Sequence, residues 1–167
     1  MEESMKYKHL ALMAALLLVL SFPVSASMVS FLVVETGLNE EAAYMPYTGL
    51  WEGGLMDVFF DAGFIVTNSP AARMEKKPAR DISGLVEDDY IDAVNGGAEY
   101  FILAFLEYQN RGGQMSPVGI ALKLYKTDSK RLIYEKNFPA GSGIDLDDEY
   151  KIAQDAGRTI ISQVKDW

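Results

Sequence analysis

The chain has 167 residues, 24 acidic against 15 basic, and a formal net charge of −9 at pH 7. A surface of that sign repels nucleic-acid phosphates, whose binding draws on basic patches, and so argues against nucleic acid as a partner. There is no cysteine, and the one histidine is His9. Beyond that position nothing can build a Ser-His-Asp or Cys-His nucleophilic system or the usual zinc ligand sets.

The first segment has the order of a secretory signal. Lys6 and Lys8 give a basic start, an uninterrupted apolar run spans Leu10 to Leu20, and Val24-Ser25-Ala26 is a small-x-small cleavage pattern. The apolar run is shorter than the roughly 20 residues needed to cross a hydrocarbon core of ~30 Å. The expectation is a signal peptide over 1–26, cut after Ala26, and an exported single domain over 27–167 with no stable membrane span after cleavage. No cysteine follows the run, which removes lipid attachment at that point. A domain of roughly 150 residues buries about 68–70% of its unfolded surface, enough for one core without disulfides.

Met28–Thr36 is rich in β-branched and aromatic residues and nearly continuous in apolarity, which predicts a strand buried on both faces. Tyr47 to Ala62 carries Trp51, Leu55, Val58, Phe59 and Ala62 at helical spacing, with Trp51 and Met56 assigned to the core. Gly53-Gly54 weakens that helix by roughly 1 kcal/mol per glycine; it marks either close packing against the sheet or the true helix start. Gly63 is placed as a C-cap, and Phe64–Thr67 reads as a short strand. Asn68 to Gly84 reads as a polar loop, and Asp88 and Asp89 as caps of a short helix ending at Asn95.

Two long strands follow, Glu99–Gln109 and Val118–Lys126, joined through Asn110–Gln114; a third, Arg131–Phe138, returns after the turn Thr127–Lys130. A last helix starts near Asp147, with Tyr150, Ala153, Gly157, Ile160 and Val164 on one side. The order β-α-β-α-β-β-β-α predicts an α/β (α+β mixed) fold, a mixed sheet with helices packed on it.

No phosphate-binding glycine loop and no dinucleotide fingerprint occurs, and no spacing singles out a carboxylate pair, so no catalytic residue, cofactor or metal is assigned. The acids Asp145 to Glu149 fail the calcium-loop pattern, because Tyr150 and Ala156 stand where Gly and Glu are required. They read as the favourably charged start of a helix. Arg73, Lys76, Lys77 and Arg80 concentrate positive charge within eight positions of an acidic chain, a candidate docking surface for an acidic partner or membrane head groups beside the simpler reading of a solvated loop. Tyr100 and Tyr108 fall on the opposite strand face from Phe101 and Phe105, a candidate binding face beside ordinary cross-strand aromatic pairing. Gly112-Gly113 and the strand edges are a candidate place for a partner strand to add, and Lys123, Lys126, Lys130 and Lys136 equally suit protection of an exposed edge against such pairing.

The passage Leu55-Met56-Asp57-Val58-Phe59-Phe60-Asp61-Ala62-Gly63-Phe64-Ile65-Val66 and the strand opening Gly97-Ala98-Glu99-Tyr100-Phe101-Ile102-Leu103 resemble an envelope-protein superfamily. It comprises penicillin-binding-protein activator lipoproteins, curli-secretion lipoproteins and the N-terminal domain of the Tol translocation protein. The hairpin of Ile120–Tyr125, its turn through Asp128, and Leu132-Ile133-Tyr134 matches as well, without the glycine frequent in that turn. The resemblance implies function through protein contact and transfers no catalytic residue. The expected function is therefore a periplasmic (or secreted), non-enzymatic accessory or adaptor protein that binds another envelope protein, with homo-oligomerisation open. The alternatives are a small-ligand carrier with an aromatic-lined cleft and a carboxylate-based cell-wall hydrolase.

Overall fold

The computed structural model of the protein describes residues 26–38, 45–78, 81–111, 113–140 and 146–165. The leader expected over 1–26 lies outside them up to residue 25. β1 (Met28–Thr36) runs through the interior of a six-stranded sheet, and every residue from Val29 to Thr36 is buried. A strand so placed has both faces covered and both edges paired, which is why its sequence lacks polar alternation. On one side it pairs in parallel with β2 (Ile65–Asn68) and, past Pro70, with β3 (Ala72–Met74). On the other it pairs in parallel with β4 (Tyr100–Arg111), with Phe31 opposite Ile102 and Val33 opposite Ala104. β5 (Gln114–Lys126) and β6 (Arg131–Pro139) continue antiparallel, giving the order β2/β3-β1-β4-β5-β6 with β6 at an edge. Pro117 has no N–H to give to the ladder, and it falls where the β4–β5 register shifts at Glu107/Tyr108. An irregularity of that kind is where an interior strand tolerates proline.

Two helices cover one face. α1 (Pro46–Asp61) opens on a proline, whose missing N–H is unneeded in a first turn. It buries Trp51, Leu55, Val58 and Phe59, and Phe59 meets Phe31 edge to face at 5.2 Å. α3 (Leu146–Lys165) lies beside it and buries Ala153, Ala156, Ile160, Ile161 and Val164. A Cβ built on Gly54 would stand 2.8 Å from the Ala153 Cβ and 2.9 Å from the Tyr150 carbonyl oxygen. The close approach signalled by the Gly53-Gly54 pair is therefore helix against helix, not helix against sheet.

α2 (Leu85–Asn95) covers part of the other face, setting Val86, Tyr90 and Ala93 over Leu32, Phe101, Leu103 and Tyr125. Tyr90 and Phe101 meet edge to face at 5.4 Å, and the Tyr90 hydroxyl donates to the Thr127 carbonyl at 2.7 Å.

The mixed α/β class and the predicted elements stand, with three differences. β3 lies inside the stretch expected to be loop; three residues flanked by Pro70 and Pro78 carry too little periodicity to announce a strand. α2 begins at Leu85 after Gly84, whose φ of +57° replaces a side-chain cap. Asp88 and Asp89 thus lie within the helix rather than at its cap, and Glu87 and Asp88 supply the acids of its first turn. β4 and β5 reach further toward each other than expected, to Arg111 and from Gln114.

Candidate functional site

The carboxyl end of β1 carries a buried charge. Glu35 is fully enclosed and pairs with Arg73 of β3, whose Nε donates to Oε2 at 2.8 Å and whose Nη2 donates to the same oxygen. Its Oε1 accepts the Met45 backbone N–H at 3.2 Å and the Thr48 hydroxyl. Thr48 has one hydroxyl proton, spent on Glu35, so the Tyr108 hydroxyl at 3.0 Å donates to Thr48. Burial pushes the Tyr108 phenol well above its ordinary range, with the charges of Glu35 and Glu149 acting in the same direction. The chain Tyr108–Thr48–Glu35–Arg73 ties β4, α1, β1 and β3 together at one end of the sheet.

That tie fixes the segment leaving β3. Gly37 donates its N–H to the Glu75 carbonyl at 3.2 Å; its φ is +82°, and a Cβ there would collide with the Tyr108 carbonyl oxygen at 2.3 Å. Residues 75–77 are held in consequence as one wall of a groove of about 470 Å³. Phe105, Ala121 and Gly119 line its β4–β5 side, with Asn137 and Phe138 of β6 beyond. The Lys77 Nζ lies over the Phe105 ring, 4.8 Å from its centroid. α2 packs over the Phe101 end of this sheet face, and the groove occupies the Phe105 end.

Two further polar clusters are structural. Lys123, 7% exposed, donates to Asp81 Oδ2 at 2.8 Å and pairs with Glu135 at 2.9 Å, while the Tyr125 hydroxyl also donates to Asp81 Oδ2 at 2.8 Å. Burial works against the Asp81 charge, but the Lys123 and Tyr125 hydrogen bonds outweigh it and hold the carboxyl below its ordinary value of 3.8. For Lys123 burial likewise opposes the charge, and Asp81 and Glu135 overcome it, raising the ammonium above its ordinary value. The second cluster is Glu149, fully enclosed, which accepts the Trp51 Nε1–H at 2.9 Å and leaves Oε1 with no hydrogen-bond partner among the described residues.

The described residues singled out in the sequence separate into three groups. Lys76 and Lys77 line the groove and are exposed. Arg73 lies next to them but is turned inward onto Glu35, its side chain 8% exposed. Tyr100 and Tyr108 are buried under the α1–α3 layer, on the opposite strand face from Phe101 and Phe105, and neither lines the groove. Tyr100 instead carries the Lys126 ammonium 4.3 Å from its ring centroid. Arg80 lies outside the described residues.

Of the four lysines read as edge protection, Lys123 and Lys126 belong to the interior strand β5, and Lys130 sits in the turn after it, paired with Glu87. Lys136 alone of the four is on the edge strand β6. The acids of α3 are not all surface dipole partners either, since Glu149 is enclosed. Sequence reading missed Glu35, Thr48 and Glu149, whose burial depends on partners far along the chain. The available signal for Glu35 was a lone acid inside an otherwise apolar strand.

Among the described residues no cluster of acids or histidine suits a metal ion, and no helix is long and apolar enough to cross a membrane.

No curated protein matches the chain. Its backbone is similar to the PelC dodecamer subunit of Paraburkholderia phytofirmans, at 11% identity and TM-score 0.49, covering 78% of this chain and 84% of that one. It is also similar to TolB of Acinetobacter baumannii, at 11% identity and TM-score 0.43, covering 85% of this chain and 29% of that one. The C-terminal domain of LpoB from Salmonella enterica is similar at 13% identity and TM-score 0.43, covering 75% and 90%. No residue role passes to this chain from likenesses at that level. A protein family described as "Uncharacterised protein" matches residues 28–164, and the chain belongs to that family.

Proposed function

We propose that the protein is an exported, non-enzymatic accessory component of the cell envelope that docks another envelope protein in the groove between residues 75–77 and the β4–β5–β6 hairpins. The observation that carries this reading is the groove itself. It opens on the sheet face that α2 covers only in part, its β4–β5 side carries Glu107, Gly119 and Ala121 above a Phe105 ring that is 3% exposed, and its wall presents Lys76 and Lys77 to solvent. Sites of recognition combine an apolar centre with a polar rim in this way.

The buried acids do not serve the groove. Glu35 is committed to Arg73 and Thr48, Glu149 takes the Trp51 N–H, and neither lines the opening. Beyond His9 the chain has no histidine or cysteine to supply a nucleophilic pair. Export rests on the leader pattern of residues 1–26.

The test is in-cell crosslinking of the tagged protein followed by affinity capture and mass spectrometry, run on the natural sequence and on a K76E/K77E variant. An envelope protein enriched with the natural sequence and depleted with the variant is the expected result. Equal enrichment in both, or none in either, contradicts the reading.

A further inference from the structure

We infer that the groove recognises a single carboxylate adjoining an apolar side chain, presented on a short segment of the partner protein; this rests on the docking role proposed above. Lys76 and Lys77, like the exposed Lys136 and Lys151, form no ion pair within 4.0 Å among the described residues, whereas Arg73, Lys123, Lys126, Lys130 and Arg158 each hold a carboxylate; only Lys76 and Lys77 of the four line the groove. Lys77 instead rests its ammonium on the Phe105 ring. Asp81, whose carboxyl the Lys77 charge helps to hold low, is engaged by Lys123 and Tyr125. Two cations with no counter-ion in contact among the described residues, neighbours on one wall, form a receptor for one anionic group, and ammonium-to-carboxylate bonds are among the stronger polar contacts.

The remaining lining narrows the class of ligand. Ala121 lies in the floor over the largely buried Phe105 ring, beside Gly119, where an added Cβ would stand 3.3 Å from the Phe138 carbonyl oxygen. An apolar group entering there displaces the Lys77 ammonium from the ring and leaves it free to meet the carboxylate. Glu75 and Glu107 also line the groove, and Glu107 Oε1 is held by the Gln109 amide at 3.1 Å. These acids repel a run of negative charges, so a polyanion is rejected while one carboxylate at the lysine pair is accepted. A volume of about 470 Å³ lies within the roughly 300–1,000 Å³ of small-ligand pockets, so the occupant is a few side chains rather than a domain face.

The experiment uses the isotope-labelled protein, isolated as its producing cells process it, and a blocked hexapeptide Gly-Ser-Phe-Glu-Ser-Gly as probe, followed by NMR. Resonances of Lys76, Lys77, Phe105 and Ala121 are expected to shift and saturate in the millimolar range. Affinity should fall roughly tenfold for the analogue with glutamine in place of glutamate, tenfold being about 1.4 kcal/mol. A similar fall is expected for a K76E/K77E variant whose spectrum otherwise overlays that of the natural sequence. Equal binding of the two peptides, shifts confined to other residues, or no shifts overturns the inference. If the peptide fails while in-cell crosslinks from position 76 to an envelope protein persist, the carboxylate assignment falls and the docking reading stands; absent crosslinks remove both.

Discussion

Glu35 shows how far a single side chain can decide the geometry of a surface it does not reach. Its carboxylate is enclosed, its counter-ion lies 38 positions away on β3, and the segment leaving β3 walls the groove. Removing one partner of a buried pair strands the other charge, typically at a loss of about 3–5 kcal/mol. R73M should therefore lower the free energy of unfolding by roughly that amount in urea titration, and E35M/R73M should recover a large part of it. Equal losses in both variants would show that the pairing is not what matters.

Asp81 gives a pH signature. Its folded-state value is depressed, so its contribution to stability is complete above the ordinary value of 3.8 and is lost as pH falls through the lower folded value. D81N should flatten the acid limb of the stability curve below about pH 4. The phenols of Tyr108 and Tyr125 are both raised by burial, so their contribution is present below the ordinary value of 10.0 and lost as pH rises beyond it.

None of these pairings was legible in the sequence. Glu35 reads as the tail of an apolar strand, Arg73 as a loop base and Glu149 as a surface acid, because a buried charge is defined by partners that only the tertiary fold brings together.

At the scale of elements, the two helices on one face are spaced by glycine. G54A pushes a methyl group into Ala153 and the Tyr150 carbonyl, an overpacking that typically destabilises by about 1–3 kcal/mol. Gly49, in the same helix, has nothing within 4 Å of a built Cβ, so G49A should be neutral or stabilising by up to ~1 kcal/mol. Thermal unfolding of the two variants separates steric spacing from helix propensity; equal shifts would remove the packing account. Long elements with a clear period were legible: β1 by its unbroken apolarity, α1 by Trp51, Leu55, Val58 and Phe59, and the hairpin by its alternation. β3 was not, since it exists through pairing with Val34 to Thr36 rather than through its own pattern. The start of α2 was not, since Gly84 achieves by backbone conformation what a capping side chain usually announces.

At the scale of the molecule, parallel pairing around β1 and an antiparallel β4–β5–β6 meander leave α2 covering one part of a sheet face and the groove occupying another. The mixed fold could be read from element order, and Lys76 and Lys77 from their local reversal of charge. Their apolar floor could not, because Phe105 and Ala121 approach residues 75–77 only once β3 is anchored beside β1. The most direct test of the docking account is site-specific photo-crosslinking in living cells, with the probe placed in turn at Lys76, Lys77 and Glu107 around the groove and at Asp57 and Asp155 on the helical face. The account predicts one envelope protein captured from the groove positions and not from the helical ones. Capture from Asp57 or Asp155 with silence at the groove would contradict it.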